Sequence, residues 1–151
     1  MSETKAGDKY VVGFAFSPLA ESVVLIRKTH PNWQAGKLNG VGGRIEDGES
    51  ALDAMRREFA EETGIYHLDW SQFCVLGDAR SWQIHFFSAS PKDIWSAQST
   101  TDEEVEICSV TELPNYVIPN LRWLIPMALS MKHESISGFD IREVSACTQV
   151  K

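Results

Sequence analysis

The sequence predicts a single α/β domain in which strands and helices pack as layers. The length of 151 residues suits one compact domain. Segments rich in valine and phenylalanine alternate with segments whose apolar residues recur at helical spacing. No internal repeat, low-complexity stretch or linker divides the chain. We therefore predict that residues 1–151 form one domain.

The predicted elements follow from local patterns of apolar and turn-forming residues. Leu52, Met55 and Phe59 recur at helical spacing, and Gly64 is a typical helix stop. The predicted helices cover residues 50–64 and 121–131, and the predicted strands cover residues 10–16, 22–27, 73–79, 82–89, 104–110 and 139–144. A glycine-rich stretch at residues 40–43 is interpreted as backbone that approaches another group closely.

Composition limits the partners and the compartment that we expect. The formal net charge of −7 argues against a nucleic-acid polymer as partner, because such binders carry a basic surface. A protein this acidic repels phosphate compounds, so a phosphate substrate would need a cation recruited locally. The three scattered cysteines argue against a disulfide framework or a zinc site. The N-terminus lacks a signal core and no apolar run is long enough for a membrane, so we expect a cytoplasmic protein without a membrane partner.

Three glutamates of the first predicted helix form an acidic cluster. On a helical wheel with about 100° per residue, Glu58, Glu61 and Glu62 share an arc of roughly 100°. Like charges at this spacing destabilise a helix by a few tenths of a kcal/mol, and no lysine lies on the arc to relieve them. Carboxylate oxygens suit magnesium or manganese, with substrate phosphates completing the coordination shell. A solvated acidic face is the alternative interpretation.

The glutamates belong to a longer pattern that begins at Gly43. Its fixed positions are Gly43, Glu49, Arg57, Glu58, Glu61, Glu62 and Gly64, with Phe59 and Ile65 at two bulky apolar positions. This pattern resembles the Nudix box, G-x5-E-x7-R-E-U-x-E-E-x-G-U, where U is a bulky apolar residue, and it matches the box at every fixed position. Phe59 is an aromatic residue where an aliphatic one is commoner.

The resemblance to the Nudix hydrolases implies both a fold and a metal site. The implied fold is an α/β/α sandwich around a mixed β-sheet, in which the box forms a loop, a helix and a second loop. Arg57 is expected to pair with Glu49 and to hold the loop against the helix. The implied metal ligands are the backbone carbonyl of Gly42 and the carboxylates of Glu58, Glu61 and Glu62. The implied cofactor is Mg²⁺, for which Mn²⁺ could substitute.

The resemblance extends to the oxidised-purine nucleoside triphosphatases of this superfamily. Residues 38–44 look like the segment before their box, with Asn39 at a base-contacting position. Arg44 stands where a lysine or arginine commonly faces the phosphates. Lys28 is a further candidate for phosphate binding, and a solvated surface lysine is the alternative.

Two later segments carry further candidates. Glu103 lies in an Asp-Glu pair that resembles one whose glutamate faces the metal site, so it is a candidate ligand or base; a solvated acid is the alternative. Residues 118–126 resemble the base-recognition segment but have Ile118, Asn120 and Leu121 where those enzymes have a tryptophan and two aspartates. Asn120 could pair with a purine through its amide. The candidates for base stacking are Trp33, Trp82, Phe86 and Trp123, with packing in the core as the alternative for each.

Together these features predict metal-dependent hydrolysis of a purine nucleoside triphosphate, with an ordinary or an oxidised base, to the monophosphate and pyrophosphate. Glu61 is the predicted base, and Glu58 and Glu62 are the predicted metal ligands. ADP-ribose, a dinucleoside polyphosphate or a sugar nucleotide are alternative substrates, because the box reads phosphate and metal rather than base. A non-catalytic Nudix binding module is an alternative of another class, against which the intact acids argue. A monomer and a homodimer both fit the sequence.

Overall fold

The computed structural model describes residues 7–78, 80–131 and 138–142. Its strands are β1 (Asp8–Ala15), β2 (Ser22–Arg27), β3 (Leu38–Asn39), β4 (Val41–Arg44), β5 (Ser71–Gly77), β6 (Trp82–Ala89), β7 (Glu104–Ser109) and β8 (Phe139–Arg142). Its helices are α1 (Ala51–Thr63) and α2 (Leu121–Met131). Neither helix is long and apolar enough to cross a membrane.

The larger sheet has the order β4-β1-β6-β5-β8 and is mixed. β1 runs parallel to β6 and β5 parallel to β8, whereas β1 with β4 and β5 with β6 are antiparallel. A second, antiparallel sheet has the order β3-β2-β7. The mixed sheet predicted from the resemblance is confirmed, and the smaller sheet is an addition to it.

The first strand shows why two helical layers cover the sheet. Successive side chains of a strand point to opposite faces. Val12 and Phe14 of β1 belong to a buried cluster with Leu124 of α2. Val11 of β1 belongs to a second cluster with Met55 of α1. The two helices therefore cover opposite faces, and the predicted α/β/α sandwich is confirmed.

The predicted element boundaries differ most from the structure near the glycines. β2, β6 and α2 begin and end at the predicted residues, while α1 is one residue shorter at each end. β4 was not predicted as a strand, because glycines are rare in strands, and β3 has only two residues. Gly42 of β4 pairs with Val12 of β1, and a Cβ at Gly42 would collide with the carbonyl oxygen of Val11. The close approach predicted here is therefore strand pairing. Of the last predicted strand, residues 143–144 lie outside the described residues.

Candidate active site

Capping and packing hold the box helix α1 in place. Ser50 caps its N-terminus, where the side-chain oxygen accepts the N–H of Asp53 at 3.0 Å. Gly64 ends the helix in the left-handed conformation at φ 76°, which glycine adopts without steric cost. Met55 and Phe59 are completely buried on the inner face. The helix is thus fixed at both ends and along one side, and its acidic edge is presented towards β4 and the solvent.

Arg57 is the central residue of the box. Its Nε and Nη2 donate to the two carboxylate oxygens of Glu49 at 2.8 and 2.9 Å. Its Nη1 donates to Glu58 at 2.8 Å and lies 3.4 Å from Glu61. Nη2 also donates to the backbone carbonyl of Arg44 at 3.0 Å. One guanidinium therefore joins the end of β4, the box loop and the helix, as expected for a bidentate arginine fork.

Glu58 is held in a confined position between the helix and β4. Its side chain is only 13% exposed. A Cβ at Gly43 would collide with the Glu58 carboxylate, so only glycine leaves room for it there. Burial raises the pKa of Glu58, and the bond from Arg57 opposes that shift. The repulsion among the box acids is thus relieved in part by Arg57, although no lysine lies on their arc.

Glu61 and Glu62 face different surroundings. The Glu61 side chain is 56% exposed, and its carboxylate lies 3.4 Å from Arg57. The Glu62 Oε2 accepts a hydrogen bond from the hydroxyl of Thr101 at 2.6 Å. Sequence reasoning missed Thr101, although it precedes the Asp-Glu pair that contains Glu103. The structure therefore brings the loop before β7 against the acidic edge of α1.

Glu103 and Lys28 form a buried ion pair. Glu103 is 3% exposed, and its Oε1 accepts from Lys28 Nζ at 2.9 Å. Its Oε2 accepts from the backbone N–H of Thr29 at 2.6 Å and from the Thr29 hydroxyl at 3.3 Å. Burial raises the pKa of Glu103, but the bonds from Lys28 and Thr29 lower it by more. The alternatives of a solvated acid and a solvated lysine are both wrong.

Arg44 ends β4 beside the box with its side chain 67% exposed. Its guanidinium forms an ion pair with Asp8, and its backbone carbonyl accepts from Arg57. Arg44 therefore provides a surface cation next to the acidic edge, and Asp8, its partner in this ion pair, is itself exposed. Gly42, the predicted carbonyl ligand, lies in the same strand.

The donor set of the box suits a hard divalent cation. Its side-chain donors, Glu58, Glu61 and Glu62, are all carboxylates, which magnesium and manganese prefer. Among residues 7–78, 80–131 and 138–142, however, no three acidic, histidine or cysteine side chains are gathered closely enough to form a metal cluster. Glu58 is bonded to Arg57 and Glu62 to Thr101. The residues fit the ion in chemistry, and binding it would draw these carboxylates together.

The segments that carry Asn39 and Asn120 lie side by side. The N–H of Leu38 donates to the carbonyl of Tyr116 at 2.9 Å, and the N–H of Ile118 donates to the carbonyl of Leu38 at 2.9 Å. These bonds continue the β2–β3 pairing into the chain before α2. The structure therefore brings the two candidate base-contacting segments into one region.

The two asparagine amides differ in how they are satisfied. Asn39 accepts the N–H of Gly40 at 2.7 Å and donates to Gln34 at 3.1 Å. The side-chain oxygen of Asn120 is buried and has no hydrogen-bond partner among the described residues. Such an acceptor costs about 1–3 kcal/mol. The Asn120 oxygen is thus the one of these two amide acceptors that has no partner in the described part of the chain.

The aromatic candidates for base stacking are only partly accessible. Phe86 is 1% exposed and packs in the core cluster with Phe14, so the alternative of a core residue holds for it. Trp33 and Trp123 are exposed, and Trp82 is half-buried. Leu121 and Ile118, at the positions of the missing recognition residues, are core residues too.

Comparison with known proteins identifies a family and relatives that this chain resembles. The family model described as NUDIX domain matches residues 9–126. An oxidized purine nucleoside triphosphate hydrolase of Mus musculus is 31% identical over 71 residues, which are 44% of this chain and 46% of that protein. The chain thus spans about half the length of the curated relatives it matches.

Two solved structures share the fold. A NUDIX hydrolase from Nitrosomonas europaea has a TM-score of 0.72 at 17% identity, over 93% of this chain and 82% of that one. The NUDIX domain of Shewanella oneidensis NrtR, complexed with ADP ribose, has a TM-score of 0.69 at 22% identity, over 85% of this chain and 90% of that one.

Proposed function

The chain belongs to the NUDIX domain family, and we propose that it is a metal-dependent pyrophosphohydrolase that converts a purine nucleoside triphosphate to the monophosphate and pyrophosphate. The observation that carries this proposal is the complete acid set of α1. Glu58, Glu61 and Glu62 lie along one edge of the helix, and Arg57 fixes that edge to the box loop. Nudix hydrolases generally use divalent metal ions.

We assign the three box acids their roles according to their surroundings. We assign Glu58 and Glu62 as ligands of Mg²⁺ or Mn²⁺, together with Glu61 and the Gly42 carbonyl. The ion would neutralise the diphosphate and lower the pKa of a bound water. Glu61 is the most exposed of the three residues, so we assign it the further role of taking the proton of the attacking water on a carboxylate oxygen.

The cations near the acidic edge are proposed as phosphate contacts. Arg44 is exposed and loses only a surface pair with Asp8 when it turns to a phosphate. Lys28 is bonded to Glu103, so it reaches a phosphate only by giving up that partner. The same exchange would release Glu103 to act as a further metal ligand. Arg44 is therefore the first phosphate contact in this proposal, and the Lys28–Glu103 pair responds to the bound substrate.

The purine preference rests on the amides of Asn39 and Asn120. The Asn120 oxygen needs a donor, and the exocyclic amino group of a purine supplies one. An oxidized purine nucleoside triphosphate hydrolase of Mus musculus is among the relatives of this chain, but the two aspartates expected in the recognition segment of such enzymes are replaced here. We therefore propose a purine triphosphate and leave the choice between an ordinary and an oxidised base to experiment.

ADP-ribose is the second candidate substrate. The NUDIX domain of NrtR was solved with ADP ribose and shares the fold at a TM-score of 0.69. In this chain Leu121 and Ile118 are core residues, so the base-recognition segment has fewer polar groups than the triphosphate enzymes that it resembles. ADP-ribose, which has a second ribose, would depend less on polar groups of that segment for its binding.

A nucleotide panel with Mg²⁺ tests the proposal. The purified protein is mixed with purine and pyrimidine triphosphates, 8-oxo-purine triphosphates, ADP-ribose, dinucleoside polyphosphates and sugar nucleotides, and the products are identified by chromatography. We expect a purine triphosphate to give its monophosphate and pyrophosphate, and EDTA to abolish the reaction. Preferential cleavage of ADP-ribose would select the second candidate. Tight nucleotide binding without turnover on any substrate would instead indicate a binding module.

A further inference from the structure

The loop before β7 makes a specific contact with one box acid. The hydroxyl of Thr101 lies 2.6 Å from Oε2 of Glu62. We propose that Thr101 is a positioning residue, which orients the Glu62 carboxylate so that its other oxygen is available to the divalent ion. This inference rests on the proposed function, since it gives Glu62 the role of a metal ligand.

The direction of this hydrogen bond is fixed by a second one. The hydroxyl oxygen of Thr101 accepts the backbone N–H of Glu103 at 3.1 Å. A backbone N–H can only donate, so the single hydroxyl proton of Thr101 is left to point at Glu62. Oε2 of Glu62 is therefore an acceptor in this contact. Within the described part of the chain its Oε1 makes no hydrogen bond, so that oxygen is the one left for a cation.

The position of Thr101 is itself determined by the surrounding backbone. The N–H of Gln98 donates to the carbonyl of Thr63 at 2.9 Å, at the end of α1. The adjacent Thr100 donates its hydroxyl to the carbonyl of Glu61. On the other side of Thr101, the Glu103 carboxylate is buried in its ion pair. Because both flanks are anchored, the hydroxyl is held at a set distance from the helix.

Thr100 offers a matched control for Thr101. Both threonines are exposed, they are adjacent, and each donates its hydroxyl to α1. Thr100 donates to a backbone carbonyl, whereas Thr101 donates to a carboxylate. Substitution by valine removes either hydroxyl with little change in shape. Thr100→Val therefore reports on docking of the loop, and Thr101→Val reports on docking together with orientation of Glu62.

The experiment measures metal binding apart from turnover. Mn²⁺ is titrated into the substrate-free protein and the free ion is followed by electron paramagnetic resonance. The Mg²⁺ dependence of hydrolysis is recorded in parallel. We expect Thr101→Val to raise the Kd for Mn²⁺ and the Mg²⁺ concentration for half-maximal rate by about tenfold, which is typical of groups that orient a metal ligand. Thr101→Ser should restore both values, and Thr100→Val, which loosens the docking of the loop but leaves the Thr101 hydroxyl in place, should change them much less than Thr101→Val. In a Glu62→Gln background, Thr101→Val should add no further loss.

Several outcomes would overturn the inference. Thr101→Val with the wild-type Kd for Mn²⁺ would show that the hydroxyl does not orient a ligand. Equal weakening by Thr101→Ser and Thr101→Val, or by Thr100→Val, would show that the loop acts only by docking. If Thr101→Val does not fold, Thr101→Ala replaces it in the comparison with Thr101→Ser. A wild-type protein that neither binds Mn²⁺ nor hydrolyses any nucleotide overturns the proposed function itself, whereas an active wild type with an unaffected Thr101→Val overturns this inference alone.

Discussion

The box and the candidate base-contacting region, which is formed by the segments around Leu38 and Val117, differ in how their contacts are spread along the chain. In the box, Arg57 meets Glu49 and Glu58 within a single loop and helix. In the candidate base-contacting region, the segments that carry Asn39 and Asn120 meet because Leu38 pairs with the distant Val117. A helix brings residues three or four positions apart onto one face, so a local motif already contains its own geometry. The candidate base-contacting region depends on strand pairing between distant segments, which the spacing of residues in the sequence does not reveal.

The largest expected effect lies in the box. Glu58→Gln and Glu62→Gln each keep the side-chain shape and remove the charge that a divalent ion needs. We expect the rate of hydrolysis to fall by about three orders of magnitude or more, because the ion would lose a charged ligand. Burial raises the pKa of Glu58, so its charge is unfavourable in the metal-free fold, and Glu58→Gln should melt at the same or a slightly higher temperature. A variant near the wild-type rate in Mg²⁺ would contradict the ligand assignment.

The next effect tests whether the box is a self-contained scaffold. Arg57 and Glu49 share a bidentate, partly buried ion pair, so removing either strands the other. We expect Arg57→Ala and Glu49→Ala each to cost about 2 kcal/mol, a value reduced because water screens part of the pair. Urea unfolding of both single variants and the double variant gives the interaction energy. Strictly additive losses would mean that the two side chains act independently.

The structure shows which features of the fold and of the candidate site could be predicted from the sequence. The apolar periodicity of α2 and β6 is strong, and their ends were predicted as observed. β4 was missed because Gly42 and Gly43 resemble a turn until β1 lies beside them, and β3 was missed because it is only two residues long and depends on pairing with β2. Thr101 was missed because its role depends on a loop folding back onto α1. The solvated state considered for Lys28 was wrong because its partner, Glu103, is distant in the sequence. Local order was thus predictable, and long-range pairing was not.

The contribution of the Lys28–Glu103 ion pair to stability has a pH dependence of definite sign. The net pKa of Glu103 is lowered in the fold, so its charge stabilises the protein above the pKa of the unfolded chain. That contribution is lost as the pH falls through the folded pKa. We expect Glu103→Gln to be about 2 kcal/mol less stable at pH 7, because Lys28 loses a charged partner. Melting should then decline less steeply in Glu103→Gln than in the wild type between about pH 5 and pH 3. Glu104→Gln, an exposed neighbour, is the control; parallel curves for Glu103→Gln and the wild type would contradict the assignment.

The smallest expected effect concerns Asn120, and its sign separates function from packing. The buried Asn120 oxygen has no partner among the described residues, so the metal-free fold carries the cost of an unpaired acceptor. Asn120→Leu, of similar size, removes that acceptor. We expect it to raise the free energy of unfolding by about 1 kcal/mol. The same change removes a contact to the purine edge, so the preference for the best purine triphosphate over pyrimidine triphosphates should fall by about fivefold or more in kcat/KM, which is about 1 kcal/mol of discrimination.

A gain in stability together with a loss of base selectivity in Asn120→Leu would show that Asn120 serves ligand binding rather than the stability of the fold. The Mg²⁺ dependence should remain that of the wild type, because the ion acts on the phosphates and not on the base. Asn39→Leu is the matched comparison: the Asn39 amide is already bonded to Gln34 and Gly40, so its loss should lower stability. If Asn120→Leu loses stability and keeps the wild-type ratio of kcat/KM values, the Asn120 amide is a structural group. The base would then be read elsewhere in the region formed by the segments around Leu38 and Val117.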